Sequence, residues 1–486
     1  MDPRTPCLVG AAQLTVRSQP GPEPLDLWEH VAREAAREAG LAPSRLDSIG
    51  LVYTDSWQYD APPYRLAERL GAAPRHGVYS RVSGTAPQLL IGEAARRIAA
   101  GEMDSALVAG AEALATRRHY RKAGEHVAWS HPAHPKPPYG WDRPPHPAEL
   151  AHELFLPVHT YPILETARRY SRESGGKTGK NGINREMSER AVFMAGMSQV
   201  AAANPHAWYR EELTPDDLLG GRFVGWPYTS NTVATLEVDQ AAAVILVSSA
   251  LADSLGVPRE GRVYLRGWAY AEDTWEVAAR PSLASSPAVA AAARAAFDRA
   301  GLSLDDMAAL DLYSCFAIAV RMACDALNLD LADRRGVTVT GGLPYAGGPA
   351  SNYVLHSTAT MAGLLRAQGG HGLVTGVGMH MTKHAYAVWS TEPGGTGDVG
   401  SAPVYAAAPV PLREVYAGPA TVAGYTVAHG RDGAPERAIL VADVPGGARA
   451  HAVVRRADLL ADAESRELVG QPVTLRTEGH VNVADW

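Results

Sequence analysis

"APQLLIGEAARRIAAGEMDSALVAGAEAL", residues 86–114, decides the fold. An alanine-rich run with apolar residues at helical spacing stops at Gly101, and a short acidic turn leads into an unbroken apolar segment that enters a glycine turn. Such a helix-then-strand unit, repeated, predicts parallel pairing in a layered α/β fold. The unit does recur. Residues 7–15 read as a strand, "PLDLWEHVAREAAREAGL" as a helix ending at Gly40, and "DSIGLVYTD" as a second strand. Further on, "SPAVAAAARAAFDRAGLSLDDMAALDLYSCF" (286–316) reads helix, turn, strand and turn. "GVTVT" (336–340) reads as a strand, and "NYVLHSTATMAGLLRAQGGHGLVTGVGM" (352–379) as helix, glycine stop and strand. An internal repeat of two βαβ-rich halves is expected.

Residues 116–235 break the rhythm. "HPAHPKPPYGWDRPPHPAEL" (131–150) is too rich in Pro, His and Trp for regular structure, and a long insertion of this kind is expected to cover a site. Its histidines, His131, His134, His146 and His152, are separated by prolines that prevent the fixed i, i+4 geometry of a helical zinc site, so no metal is expected. Residues 390–403 read as a Gly/Ser/Pro linker. Beyond them, short alternating strands broken by "GRDG" and "PGG" turns predict a small antiparallel barrel of the OB type.

With 486 residues, 46% hydrophobic and 20% charged, the chain has the composition of a globular protein of several domains. Its formal charge of -7 argues against nucleic-acid binding. Three cysteines, Cys7, Cys315 and Cys324, make no disulfide framework or CxxC pair, and no apolar window approaches the roughly 18 residues of a membrane span. Without a signal-peptide layout at its start, the chain is expected to be cytoplasmic, with no membrane insertion. The basic run "RRHYRK" reads as a solvated face or a phosphate contact.

Six segments in order, "SGTAPQLLIGEAARRIAAGEMDSALVAGAEAL", "TYPILETARRY", "MSQVAAANPHAW", "LYSCF", "GGLPYAGGPASNYVLH" and "LVTGVGMHMTKH", resemble the thiolase superfamily over the first four fifths of the chain. The resemblance is to the sterol-carrier-protein-2-type, acetyl-CoA acetyltransferase-like branch, with a C-terminal OB-like extension. It implies a five-layered αβαβα fold of two βαβαβ halves with acyl-CoA bound between them. The domains expected are an N-terminal half at 1–255 carrying a loop insertion at about 116–235, a C-terminal half at 256–395, and an OB-like β domain at 404–486.

Against the family's motifs the polar chemistry departs. The Cys-x-Ser-Gly loop reads Arg81-Val82-Ser83-Gly84, His-Asp-Cys-Phe reads Tyr313-Ser314-Cys315-Phe316, and Gly-His-Pro reads Gly347-Gly348-Pro349. Cys-x-Gly falls within residues 374–378, again without cysteine. The candidates for catalysis are therefore Tyr313, Cys315, Tyr345, Ser83 and His356, and for ligand binding Gly347, Gly348, Gly376 and Gly378. Cys315 stands open between a catalytic thiol and a small buried hydrophobe. His356 stands open between a pocket-facing residue and a helix cap. A tyrosine, with an ordinary pKa of about 10, donates a proton readily and acts as a base only when perturbed. The expected function is an acyl-CoA-binding enzyme of lipid or steroid metabolism that makes or breaks a C–C bond without a cysteine nucleophile, by aldol, retro-aldol or acyl-transfer chemistry. A non-catalytic acyl-CoA-binding or scaffold protein is the alternative, and an acetyl-CoA acetyltransferase the outside one. A coenzyme A thioester is expected as substrate, with no tightly bound cofactor. A homodimer or monomer, with a protein partner at the OB-like domain, completes the expectation.

Overall fold

The computed structural model describes residues 2–173, 179–394 and 408–486. Strands β1 (Pro6–Thr15), β2 (Ser48–Leu51), β3 (His76–Tyr79) and β4 (Ser105–Ala113) precede the insertion, whose hairpin is β5 (Phe223–Trp226) and β6 (Tyr228–Thr229); β7 (Asp239–Ser248) follows it. The first sheet has the order β1-β7-β4-β2-β3. Strands β8 (Tyr264–Glu272), β9 (Met307–Asp311), β10 (His371–Gly378) and β11 (Lys383–Ser390) form the second, in the order β8-β11-β10-β9.

The helices Ala86–Ala99 and Tyr353–Gln368 each touch both sheets and form the middle layer. Pro24–Ala39 covers the outer face of the first sheet and Pro287–Ala300 that of the second, which gives five layers. Gly92 shows why the middle layer closes: any Cβ there would collide with the indole of Trp268 on the second sheet. The expected helix stops hold, with Gly40 and Gly301 in left-handed conformations at φ 63° and 64°.

Pairing is mixed where the sequence predicted parallel strands. β2–β3, β2–β4 and β9–β10 are parallel, whereas β7 returns antiparallel to both β1 and β4, and β11 antiparallel to β10 and β8. Two local expectations also fail. Gly110 lies inside β4 rather than in a turn, because the Asn352 side chain occupies the space a Cβ would take. Residues 336–340 make no strand. Their donors go instead to one buried carboxylate, Asp311, which accepts from the Thr338 hydroxyl at 2.9 Å and the Val339 N–H at 3.0 Å. Only Leu312 N–H to Val337 O, 2.9 Å, survives as a strand-like bond.

The C-terminal region carries β12 (Leu412–Arg413), β13 (Gly418–His429), β14 (Pro435–Val444), β15 (Ala448–Val454), β16 (Pro472–Glu478) and β17 (Val481–Asp485). Pairings β13–β14, β14–β15, β15–β17, β17–β16 and β16–β13 close a five-stranded barrel. The expected linker at 390–403 and the boundaries at 395 and 404 fall largely on 395–407, outside the described residues. The barrel docks on the helix Pro157–Arg172, where the Thr166 hydroxyl donates to Tyr425 O and accepts from Tyr425 N–H, both at 3.0 Å.

Candidate active site

Four strands of the parallel pairs deliver residues to one cavity from their carboxyl ends, the edge at which open α/β sheets bind ligands. Asp55 follows β2, Leu114 follows β4, Tyr313 and Cys315 follow β9, and Met379 and His380 follow β10; all line a cavity of about 520 Å³. The insertion closes it, contributing Tyr139, Trp141, Arg143, Glu149, Phe155 and Tyr161 to the lining. The walls are mostly aromatic and aliphatic.

Ser83, Tyr313 and Cys315 are brought together here. Ser83 precedes the helix Ala86–Ala99; its hydroxyl lies 2.7 Å from the Thr85 hydroxyl and its N–H donates to Ser351 Oγ at 3.1 Å. The absent Cβ of Gly84 makes room for the Tyr313 ring, since a side chain there would lie 2.6 Å from the tyrosine oxygen. Among the described residues no hydrogen bond is made to the Tyr313 hydroxyl, and burial raises its pKa well above the ordinary value. Cys315 is likewise pushed up to about 12 by burial, against a hydrogen bond with Tyr161 that works the other way. Its thiolate is scarce at neutral pH, and so it is a poor nucleophile.

Tyr345 and His356 do not line the cavity. Without a strand at 336–340 to aim it, Tyr345 is buried with its hydroxyl unpartnered, held by Tyr345 N–H to Gly342 O at 3.1 Å. His356 turns the other way on its helix, Nδ1 lying 3.0 Å from Gln13 Oε1, and burial lowers its pKa to about 3. None of the four candidate glycines lines the cavity either. Gly376 and Gly378 pack beneath the loop of Ser83 and Gly84, whereas Gly347, at φ 108°, faces Gln240, and Gly348 donates to Thr235 O at 2.8 Å.

Three lining residues were not among the sequence candidates, although Tyr161 and His380 lie in the segments that carry the resemblance. Tyr161 donates to Met379 O at 3.0 Å and stacks on Phe316 with centroids 4.4 Å apart. His380 is half-buried, and its desolvation lowers its pKa to about 4 and leaves it neutral near pH 7. Glu149 is 6% exposed, and burial lifts its pKa to about 7. Ala350 and Met379, also in the lining, take left-handed φ values of 44° and 55°. A non-glycine residue held there costs on the order of 1 kcal/mol, a price found mostly where function fixes the backbone.

The mouth is framed by a segment that crosses from one half to the other. Asp142 pairs with Lys383 on β11 and, at 3.5 Å, with Arg81; Val82 N–H donates to Gly140 O at 2.9 Å, and the Tyr139 hydroxyl donates to Asp55. Arg81 thus reaches outward to hold this segment, its guanidinium also donating to Trp141 O at 3.2 Å. The basic run forms the helix Leu114–Ala123, with Arg118 and Arg121 both paired to Glu237 beside the mouth residue Leu236.

Five layers, an insertion over the junction and a cavity at the strand ends define a thiolase-like protein. Residues 402–480 match the family model of the thiolase-like protein type 1 additional C-terminal domain. The crystal structure of a monomeric SCP2-thiolase-like protein type 1 from Mycobacterium smegmatis is similar over 100% of both chains, with 29% identity and a TM-score of 0.84. An Ltp2-ChsH2(DUF35) aldolase shares the fold at 18% identity and a TM-score of 0.59, over 80% of this chain and 98% of that one. A 3-ketoacyl-CoA thiolase of Shigella boydii serotype 4 (strain Sb227) is 31% identical over 153 residues, 28% of this chain; the match spans 33% of that relative's length. The chain thus has a thiolase-like fold with an additional C-terminal barrel, similar over its whole length to the SCP2-thiolase-like protein type 1.

Proposed function

We propose that the chain is an acyl-CoA-dependent enzyme that makes or breaks a C–C bond by aldol or retro-aldol chemistry, with no acyl-enzyme. The observation that carries this reading is the pairing of an unengaged Tyr313 hydroxyl with the buried, protonated Cys315 thiol in one largely apolar cavity. Cys7, Cys315 and Cys324 are all pushed up to about 12 by burial, and Arg81 stands where a nucleophile is needed. An aldol step needs only a base that takes and returns a proton and a hydrogen-bond donor that holds the thioester enolate. Tyr313 is that hydrogen-bond donor. The aldolase among the structural neighbours supports the class of reaction by likeness of fold alone. The arginines of the helix Leu114–Ala123 offer cations to the coenzyme's phosphates at the mouth, no tightly bound cofactor is required, and lipid or steroid thioesters suit the apolar walls. As its Mycobacterium smegmatis relative is monomeric, the chain acts as a monomer.

Incubation with acetyl-CoA followed by intact mass spectrometry is expected to show no acyl adduct. Tyr313→Phe is expected to bind a saturated acyl-CoA normally and to turn over 3-hydroxyacyl-CoA thioesters roughly a hundredfold more slowly, whereas Tyr345→Phe stays near wild type. Loss of activity in Cys315→Ser with full activity in Tyr313→Phe sinks the reading. Binding without turnover by the wild-type protein on every thioester tried leaves the non-catalytic acyl-CoA carrier in its place.

A further inference from the structure

Tyr313 supplies a hydrogen-bond donor for the enolate but no base. Its burial makes the tyrosinate costly, and the same holds for Tyr161, whose pKa also lies well above the ordinary value. Cys315 stays protonated. The base has to come from elsewhere in the lining. Asp55 is engaged by the Tyr139 hydroxyl at the mouth. His380 is neutral, but it is tied by a hydrogen bond to the Phe155 backbone.

We propose that Glu149 is the base of this cavity, taking a proton from the substrate and returning it within one turnover. Three observations carry this, and the inference rests on the aldol reading above. Glu149 lines the cavity, is nine-tenths buried and has no ion-pair partner among the described residues. It lies on the insertion helix Pro147–Ala151, and the backbone N–H groups of His146 and Val277 hold its carboxyl without neutralising it. It also shares the lining of one cavity with Tyr313 and Tyr161.

In the retro-aldol direction the Glu149 carboxylate accepts the proton of the substrate's β-hydroxyl. The oxygen's electron pair forms the new C=O bond as the Cα–Cβ bond breaks, and the pair from that bond becomes the thioester enolate, hydrogen-bonded by Tyr313. The protonated carboxyl then gives its proton to Cα. The products are an aldehyde or ketone and a shortened acyl thioester, and no oxidant or reductant is consumed.

The surroundings suit a group that changes charge near neutral pH. Burial raises its pKa to about 7, Glu276 adds to the rise, and Arg280 and the two backbone donors oppose it. His146 and His152 share its segment, and His380 and Asp55 face the same cavity; His152 and His380 are lowered by burial, so neither carries charge where Glu149 titrates. The barrel steadies this wall, as Arg449 on β15 donates to Ala278 O at 3.1 Å and Asn482 N–H donates to His152 Nε2 at 2.9 Å.

The experiment compares wild type, Glu149→Gln, Glu149→Asp and Tyr313→Phe. Binding of a saturated acyl-CoA is measured by calorimetry, and turnover of short, medium and long 3-hydroxyacyl-CoA thioesters is followed from acid to alkaline pH. Wild-type turnover is expected to rise with pH through about 7. Glu149→Gln is expected to bind within about twofold, to lose roughly a hundredfold in turnover and to lose the rise with pH. Glu149→Asp keeps the rise at a reduced rate, and Tyr313→Phe lowers the rate while preserving the rise. If Glu149→Gln keeps the wild-type rate and pH profile while Tyr313→Phe is impaired, the proposal is overturned and the aldol reading stands. A wild-type protein that cleaves none of the thioesters overturns both.

Discussion

Burial decides the chemistry of single residues here more than motif position does. Cys315 falls in a motif whose resemblance implies catalysis, yet at a pKa of about 12 only about one molecule in ten thousand carries the thiolate at pH 8. The native protein is therefore expected to leave all three thiols unmodified by a disulfide reagent at that pH, and to react at three on denaturation; prompt reaction of one native thiol contradicts the account. Glu149 shows the opposite sign of the same effect. Its folded pKa of about 7 lies above the ordinary 4.5, so the folded chain holds a proton that the unfolded chain has released. The stabilisation is complete below about 4.5 and is lost as pH rises through about 7. Glu149→Gln is then expected to raise stability at pH 8 by on the order of 1–3 kcal/mol and to change it little at pH 4, as read from urea unfolding. Tyr313, Cys315 and Ser83 were legible because strand-end and loop motifs fix their place. Glu149, His380 and Tyr161 were not, because nothing in local spacing tells which residues of an irregular insertion or a turn face a distant strand edge.

At the scale of elements, periodicity revealed whatever is regular and missed what side chains hold. The helices ending at Gly40, Gly101 and Gly301 and the strands of the middle of each sheet follow from apolar spacing alone. Residues 336–340 alternate like a strand, but Asp311 draws in their hydroxyls and N–H groups and so leaves no ladder. Tyr345, on the loop that follows, lies outside the cavity lining. The segment over the mouth is another such case. Tyr53 packs on Tyr79 and on Tyr139, which packs on Trp141, and Asp142 pins the end of this series to both Arg81 and Lys383. Because the Arg81 pair is exposed and the Lys383 pair only partly buried, Asp142→Ala is expected to cost about 1 kcal/mol locally. That corresponds to roughly fivefold faster protease cleavage around residues 131–147 with little change in the global melting temperature. Unchanged cleavage places the hold in the aromatic series instead.

For the molecule as a whole, the question is what binds the barrel to the thiolase-like body, and the answer is a buried charge network. Arg169, on the insertion helix Pro157–Arg172, donates to Glu467 at 2.8 Å and to Glu186 at 3.2 Å, and its guanidinium lies over the Trp226 ring at 5.2 Å. Arg321 meets Glu186 and Glu165 from the second half, so body, insertion and barrel share one set of carboxylates. Burial lifts the pKa of Glu186 and the neighbouring Glu165 lifts it further, while the arginines oppose; in Glu165, Arg321 overcomes burial and the pKa falls. Removing one cation from such a network leaves carboxylates buried without a partner, which costs about 3–5 kcal/mol. Arg169→Met, similar in length and apolar, is expected to lower the unfolding free energy by that amount at pH 8, as read from urea unfolding. The same substitution is expected to do less harm at pH 5, because Glu186, already raised by burial and by Glu165, then takes up a proton instead of remaining as an unpaired charge. Acyl-CoA binding should weaken in step at pH 8, since the barrel strand β15 holds the 278–281 loop beside Glu149 through Arg449. Equal destabilisation at both pH values makes Arg169 a packing residue only, and unaltered stability at both means that the barrel is held by its strand-to-helix contacts at Thr166 and Tyr425 rather than by charge.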